Sequence, residues 1–205
     1  MNRMLTDKKY NVFVGLLLLL GFVIIACSCF FLKDITPLWS LTKIIVLTVL
    51  CDILGLTMCY FSLSTQGKLI GYIINCFGDG ILLSSCINEY SVSTITNAIV
   101  VTVLMTIIMI IVSMIYPKVF EKLGLILAVI LVCVCCVMIV LMIIGVYPSF
   151  IDWIVCILIC GYVGYDWHEA QKKEKTIQNA INSALNLYLD MVTIFASLLD
   201  IFKKD

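Results

Sequence analysis

The chain is 205 residues long, with 63% of them hydrophobic, only 13% charged, and 13 basic residues balanced by 13 acidic ones. Soluble domains carry roughly a quarter charged residues, and a water-soluble fold of this size has too little interior to hide so much apolar surface. The basic residues fall in short clusters between apolar runs and form no single face, which argues against nucleic acid as a partner.

Seven apolar stretches follow one another, each close to the ~20 residues that a helix needs to cross a bilayer: 11–32, 42–63, 68–88, 94–116, 123–146, 149–168 and 181–202. The expected fold is all-α and membrane-integral, one seven-helix bundle over residues 1–205. The first stretch contains a decoy, since Ile24-Ile25-Ala26-Cys27 looks like a bacterial lipoprotein cleavage site. Its apolar run continues through Cys29, Phe30, Phe31 and Leu32, as a span does and a cleaved signal usually does not. Pro37, Pro117 and Pro148 fall in the connections, which predicts continuous helices and not the broken ones of many secondary transporters. All eleven cysteines lie in or beside apolar segments, where a thiol acts as a small hydrophobe. No disulfide framework is expected, and Cys133, Cys135 and Cys136 lack the His or spaced Cys that completes a metal set.

Lys and Arg are enriched in cytoplasmic loops. Arg3, Lys8, Lys9, Lys68, Lys118, Lys122, Lys172, Lys173 and Lys175 fall on one side, and Lys33, Lys43, Lys203 and Lys204 on the other. The amino terminus is therefore expected in the cytoplasm and, if the last segment spans fully, the carboxyl terminus outside; a re-entrant last segment brings the tail back inside. The short tails favour a bacterial cell membrane, with an internal membrane of a eukaryote as the alternative.

A charge at the centre of a span costs at least ~2.5–3.5 kcal/mol on insertion scales, so each intramembrane acid is a candidate functional residue. Five stand out: Asp52, Asp79, Asp152, Asp166 and Asp190. Basic residues at comparable positions lie only near helix ends, so these carboxylates must share protons, hold a cation or face water. In the seventh segment Asn179, Ser183, Asn186, Asp190, Thr193, Ser197 and Asp200 recur in steps of four and three, one continuous polar stripe. The stripe places this helix centrally, either lining a hydrated path or serving as hydrogen-bonding glue between helices.

The sixth segment sets Asp152 and Asp166 two heptads apart on nearly one face. If the connection to the antiparallel seventh segment is centred near residues 176–178, Asp166 lies level with Asp190 and Asp152 with Asp200. Facing carboxylates in a dry site share a proton rather than both ionise. Deprotonated, they either repel their helices or bind a hard cation such as calcium. Asp166 and Asp190 are thus the expected pH-sensing pair and a candidate calcium site. Asp152 and Asp200 are expected near the outer surface, attracting cations to an entrance. Asp52, Asp79, Asn186 and Thr193 are further candidates for a cation path. His168, the sole histidine, can tune Asp166.

The stretch Gly164-Tyr165-Asp166, then Ala170-Gln171, then Leu187-Tyr188-Leu189-Asp190-Met191-Val192-Thr193-Ile194-Phe195 with Leu198-Leu199, resembles the carboxyl-terminal signature of the transmembrane Bax inhibitor motif family. Weaker similarity covers most of the chain, including Gly80, Tyr116-Pro117-Lys118 and Leu123-Gly124. The resemblance implies a last helix wrapped by the other six and a pH-controlled calcium leak, with Asp166 and Asp190 as the latch. Arginines that some bacterial members carry after the second helix are replaced here by Ser62-Leu63-Ser64-Thr65-Gln66, and Asp79 is an acid that the family pattern does not include.

Two other classes compete. An aspartyl intramembrane protease also sets one Asp on each of two late helices, but Leu187-Tyr188-Leu189-Asp190 stands where that family needs Gly-x-Gly-Asp. Nothing resembles a nucleophile triad, a phosphate loop or a nicotinamide motif, so no enzyme activity and no cofactor are expected. The third class is a regulatory membrane protein without transport. The expected partners are lipid, calcium and protons.

Overall fold

The computed structural model describes residues 4–145, 148 and 150–203, with the side chain of Met142 excepted. Among these residues it forms α1 (Asp7–Leu32), α2 (Leu41–Phe61), α3 (Thr65–Cys86), α4 (Val92–Ile115), α5 (Pro117–Ile144), α6 (Phe150–Lys172) and α7 (Ile177–Lys203). All seven are long and apolar enough to cross a membrane. They match the seven apolar stretches one for one, and the chain is a multi-pass membrane protein. Arg3, Lys204 and the expected span ends at 146 and 149 lie outside the described residues.

The differences lie at the helix ends, where hydropathy carries little information. α6 continues through the polar run to Lys172, because each further helical residue gains a backbone hydrogen bond whatever its side chain. The connection to α7 is therefore 173–176, centred two to three residues earlier than expected. Pro117 is not in a connection but opens α5, where its missing N–H leaves no hydrogen bond unmade. Pro37 lies in a single 3₁₀ turn, Thr36–Leu38. Thr6, Ser40, Ser64 and Ser91 cap α1 to α4, each side-chain oxygen accepting from the backbone N–H three residues on; such caps are worth about 1 kcal/mol each.

The chain divides into two compact units. The first is Met1–Tyr90 with Lys173–Tyr188. Here α3 packs on α1 and α2. The buried positions of α1 are Tyr10, Val14, Leu17, Gly21, Ile25 and Ser28, one stripe in steps of three and four. Leu16, Leu19 and Val23 are exposed, as lipid-facing side chains are. The α2–α3 seam is tight: a Cβ on Gly71 would stand 2.7 Å from the Gly55 carbonyl oxygen, and one on Gly55 2.8 Å from that of Gly71. Small residues let membrane helices approach to backbone contact in this way. The first half of α7 is held by hydrogen bonds from its polar residues. Tyr10 Oη pairs with Ser183 Oγ at 2.9 Å, and Tyr60 donates to Asn186 Oδ1. The Tyr188 ring meets Tyr72 edge-on, with centroids 5.7 Å apart. In the connection before α7, Lys175 lies over the Tyr10 ring; burial pushes its ammonium below the usual lysine range, and Asp7 opposes that effect.

The second unit is Ser91–Lys172 with Leu189–Asp205. Here α6 packs on α4 and α5. Every buried residue of α4 is small: Ala98, Thr102, Thr106 and Ser113. Ser113 Oγ donates to the Gly164 carbonyl of α6 at 2.6 Å. The Phe120 ring of α5 fills the place where a Gly164 side chain would stand, and the Tyr165 ring covers Gly124. Only 6% of the α5 span is buried, against 56% of the α7 span, the largest share of the seven.

Candidate functional site

Asp190 sits in the second half of α7, and its side chain is packed in although it carries an ionisable carboxyl group: the residue is 8% exposed. One of its carboxylate oxygens, Oδ2, has no hydrogen-bond partner among the described residues. Asp166, half-buried on α6, lies close enough for the two carboxylates to repel one another. Cys160 and Tyr162 of α6 also feel the charge of Asp190. The two acids that the stripe and the antiparallel register bring level both belong to the second unit, near enough to act on one another electrostatically. Gly164, two residues before Asp166, carries the local packing described above, which seats α6 against α4 and α5.

The rest of the stripe divides by role. None of its members is exposed. In the first unit Ser183 and Asn186 are hydrogen-bonded to Tyr10 and Tyr60, and the Asn179 carbonyl accepts from Tyr10 Oη at 3.4 Å. That half of the helix is glue. Thr193 turns its hydroxyl onto its own helix, donating to the Leu189 carbonyl at 2.8 Å. Asp200 is half-buried. Asp152 is more enclosed than an entrance residue is expected to be, at 4% exposed. It lies in the first turn of α6, where a carboxylate is favoured by the free N–H groups and the helix dipole.

His168 stands two residues after Asp166 on α6, and Glu121 of α5 is near enough to feel its charge. It lines a cleft with Ser113, Met114, Pro117, Trp167, Gln171 and Lys172. Nearby, Lys172 forms an ion pair with Glu121 at 3.1 Å and another with Glu169 at 3.3 Å.

In the first unit Asp52 and Asp79 come together across α2 and α3, a pairing that the sequence reading does not make. Asn75 Nδ2 donates to Asp52 Oδ1 at 3.1 Å, Asp79 follows one turn later on the same face of α3, and Asp52 is near enough to act on it electrostatically. The fully buried Tyr188 hydroxyl is turned toward Asp79 and Cys76 without reaching hydrogen-bond geometry.

Lys68, the first residue of the third expected span, lies in the first turn of α3 and is 6% exposed, turned inward although the sequence reading counts it among the charges of the cytoplasmic side. Its ammonium donates to the Cys59 carbonyl and, at 3.3 Å, to Asn182 Oδ1. A seryl N-cap at Ser64 is the signal in the sequence that the helix starts early enough to include it. Lys68→Met keeps the length of the chain and removes the donor, so buried acceptors are left bare. The expected result is a loss of about 1–3 kcal/mol in stability, read as a lower unfolding midpoint in detergent; an unchanged midpoint would show that these bonds contribute nothing.

All eleven cysteines are free thiols, with Cys133, Cys135 and Cys136 exposed on α5. A family model described as inhibitor of apoptosis-promoting Bax1 matches residues 2–205, essentially the whole chain. No individual curated protein matches it.

Proposed function

Because the chain belongs to the family of inhibitors of apoptosis-promoting Bax1, we propose that it is a calcium leak through the membrane, gated by protons at Asp166 and Asp190. The observation that supports this most is the buried Asp190 carboxylate, with one oxygen unpartnered and the Asp166 carboxylate of α6 near enough to act on it. Two such groups are tolerated in a low-dielectric site when one proton is shared between them. The shared proton links α6 to α7 and closes the path. As pH rises the proton leaves, the like charges lose their link, and a calcium ion can pass as their counter-ion. The reading is of a transport protein and not an enzyme, since no Gly-x-Gly-Asp precedes Asp190.

Purified protein in liposomes, with calcium dye inside and calcium outside, tests this directly. Leakage that rises as the pH is stepped upward is expected. Protein that passes no calcium at any pH overturns the proposal and leaves a regulatory role through contacts with other membrane proteins.

A further inference from the structure

We propose that the first unit holds a separate cation site, in which Asp52 and Asp79, with the Asn75 carbonyl oxygen and the Tyr188 hydroxyl, take a hard divalent ion of the calcium class. The site is built mainly on α2 and α3, with Tyr188 contributed by α7, the helix that also carries Asp190, and it does not depend on how the Asp166–Asp190 pair works.

Geometry brings the oxygens together. Asn75 and Asp79 share one face of α3 at one-turn spacing. α2 lies close against that face because Gly78 has no side chain: a Cβ there would stand 2.7 Å from the Cβ of Cys51 and 3.4 Å from Asp52 Oδ1. The Asn75 amide nitrogen is spent on Asp52, which leaves its carbonyl oxygen. That oxygen, Asp79 Oδ2 and Tyr188 Oη are all buried with no hydrogen-bond partner among the described residues, and Asn75 and Tyr188 are each 0% exposed. Buried polar groups are seldom left bare. Tyr188 lies beside Asp79, and Asn75 stands one turn before it on α3; bare oxygens in this setting, one of them on a carboxylate that has a second close by, call for a group that neutralises charge and accepts several oxygens.

A shared proton satisfies only one carboxylate oxygen and leaves the Asn75 carbonyl as it was. A divalent ion answers both requirements, because two carboxylates match its charge and neutral amide and phenol oxygens are ordinary further ligands, with water in the remaining positions. The donor set is oxygen, which selects a hard ion over zinc or copper. The other titratable groups near the site among the described residues include the thiols of Cys51 and Cys76 and the phenol of Tyr72, whose ring packs on Tyr188. Calcium, with its flexible coordination, suits an irregular set of two acids and two neutral oxygens better than magnesium, which demands a near-octahedral shell.

Terbium is a calcium-like ion whose emission is excited through a neighbouring tyrosine, and Tyr188 is itself a proposed ligand. The full chain in detergent should show saturable tyrosine-sensitised terbium emission that calcium displaces. Asp52→Asn and Asp79→Asn should each weaken terbium and calcium binding about tenfold or more, since affinity follows the charge of the ligands. Tyr188→Phe should remove most of the sensitised emission, and Asp190→Asn should leave it in place. Wild-type affinity in both Asp52→Asn and Asp79→Asn overturns the site, as does emission lost only when Asp166 or Asp190 is replaced. Should the Asp52 and Asp79 variants fail to fold, the Asp166→Asn, Asp190→Asn double variant decides, because it retains this site alone. Its unfolding midpoint must rise with calcium concentration, as it does for any ligand that binds only the folded state; no rise overturns the proposal.

Discussion

Replacing either Asp166 or Asp190 by Asn is expected to flatten the pH response of calcium flux in liposomes. The ionised fraction of a single titrating unit changes about tenfold per pH unit on its acid side. Flux through the wild-type protein should follow that slope, while each single variant should vary less than about twofold over the same range. Asn keeps the size and the hydrogen-bonding ability of Asp but cannot lose the shared proton, so the switch is removed and the fold is kept. The double variant should add little to either single one, because members of one coupled unit are not additive. The sign follows from the linkage: the proton is bound at low pH, where the path is closed, and is lost on raising the pH, where it opens. A normal pH response in both single variants would sink the paired switch while leaving the leak itself intact.

Gly71→Val is expected to have the largest effect on stability. A Cβ at this position meets the Gly55 carbonyl oxygen at 2.7 Å, the Met58 Cβ at 2.7 Å and the Cys59 backbone nitrogen at 2.9 Å. Two of these three atoms are helix backbone and cannot move aside as the end of a flexible side chain can. α2 and α3 must separate, and the contacts of α3 with both α1 and α2 loosen with them. A loss of about 3 kcal/mol or more is expected, at or beyond the upper end of what overpacking costs, seen as aggregation or a sharply lowered unfolding midpoint in detergent. Gly15→Val is the control. It lies on α1 with nothing within 4 Å of its Cβ position, and its effect should stay small. Equal losses in the two variants would mean that β-branching and not close approach is responsible.

The seven spans were legible in the sequence because the bilayer sets the length of an apolar helix, and run length is a local property. That Asp166 and Asp190 come near one another was legible because a single short connection joins two long antiparallel helices, so register along the axis carries over a considerable distance. The helix ends were less so. α6 runs on to Lys172 past the point where its apolar run stops, and the N-cap at Ser64 starts α3 before its own begins.

What only the tertiary structure decided is how each helix is rotated about its axis. In water an apolar stripe on a polar helix points to the core, but in lipid both faces are apolar and the pattern is nearly silent. On α2 the buried positions Ile44, Thr48, Gly55 and Cys59 and the exposed Ile45, Val49 and Ile53 differ in size far more than in polarity, so hydropathy does not separate them. Features that depend on rotation were therefore hidden: Gly55 on Gly71, Asp52 against Asn75 and Asp79, Lys68 turned in to Asn182, and the burial of Asp152. The exception is α7, where the rotation was readable, because seven polar residues on one face cost too much to turn toward lipid.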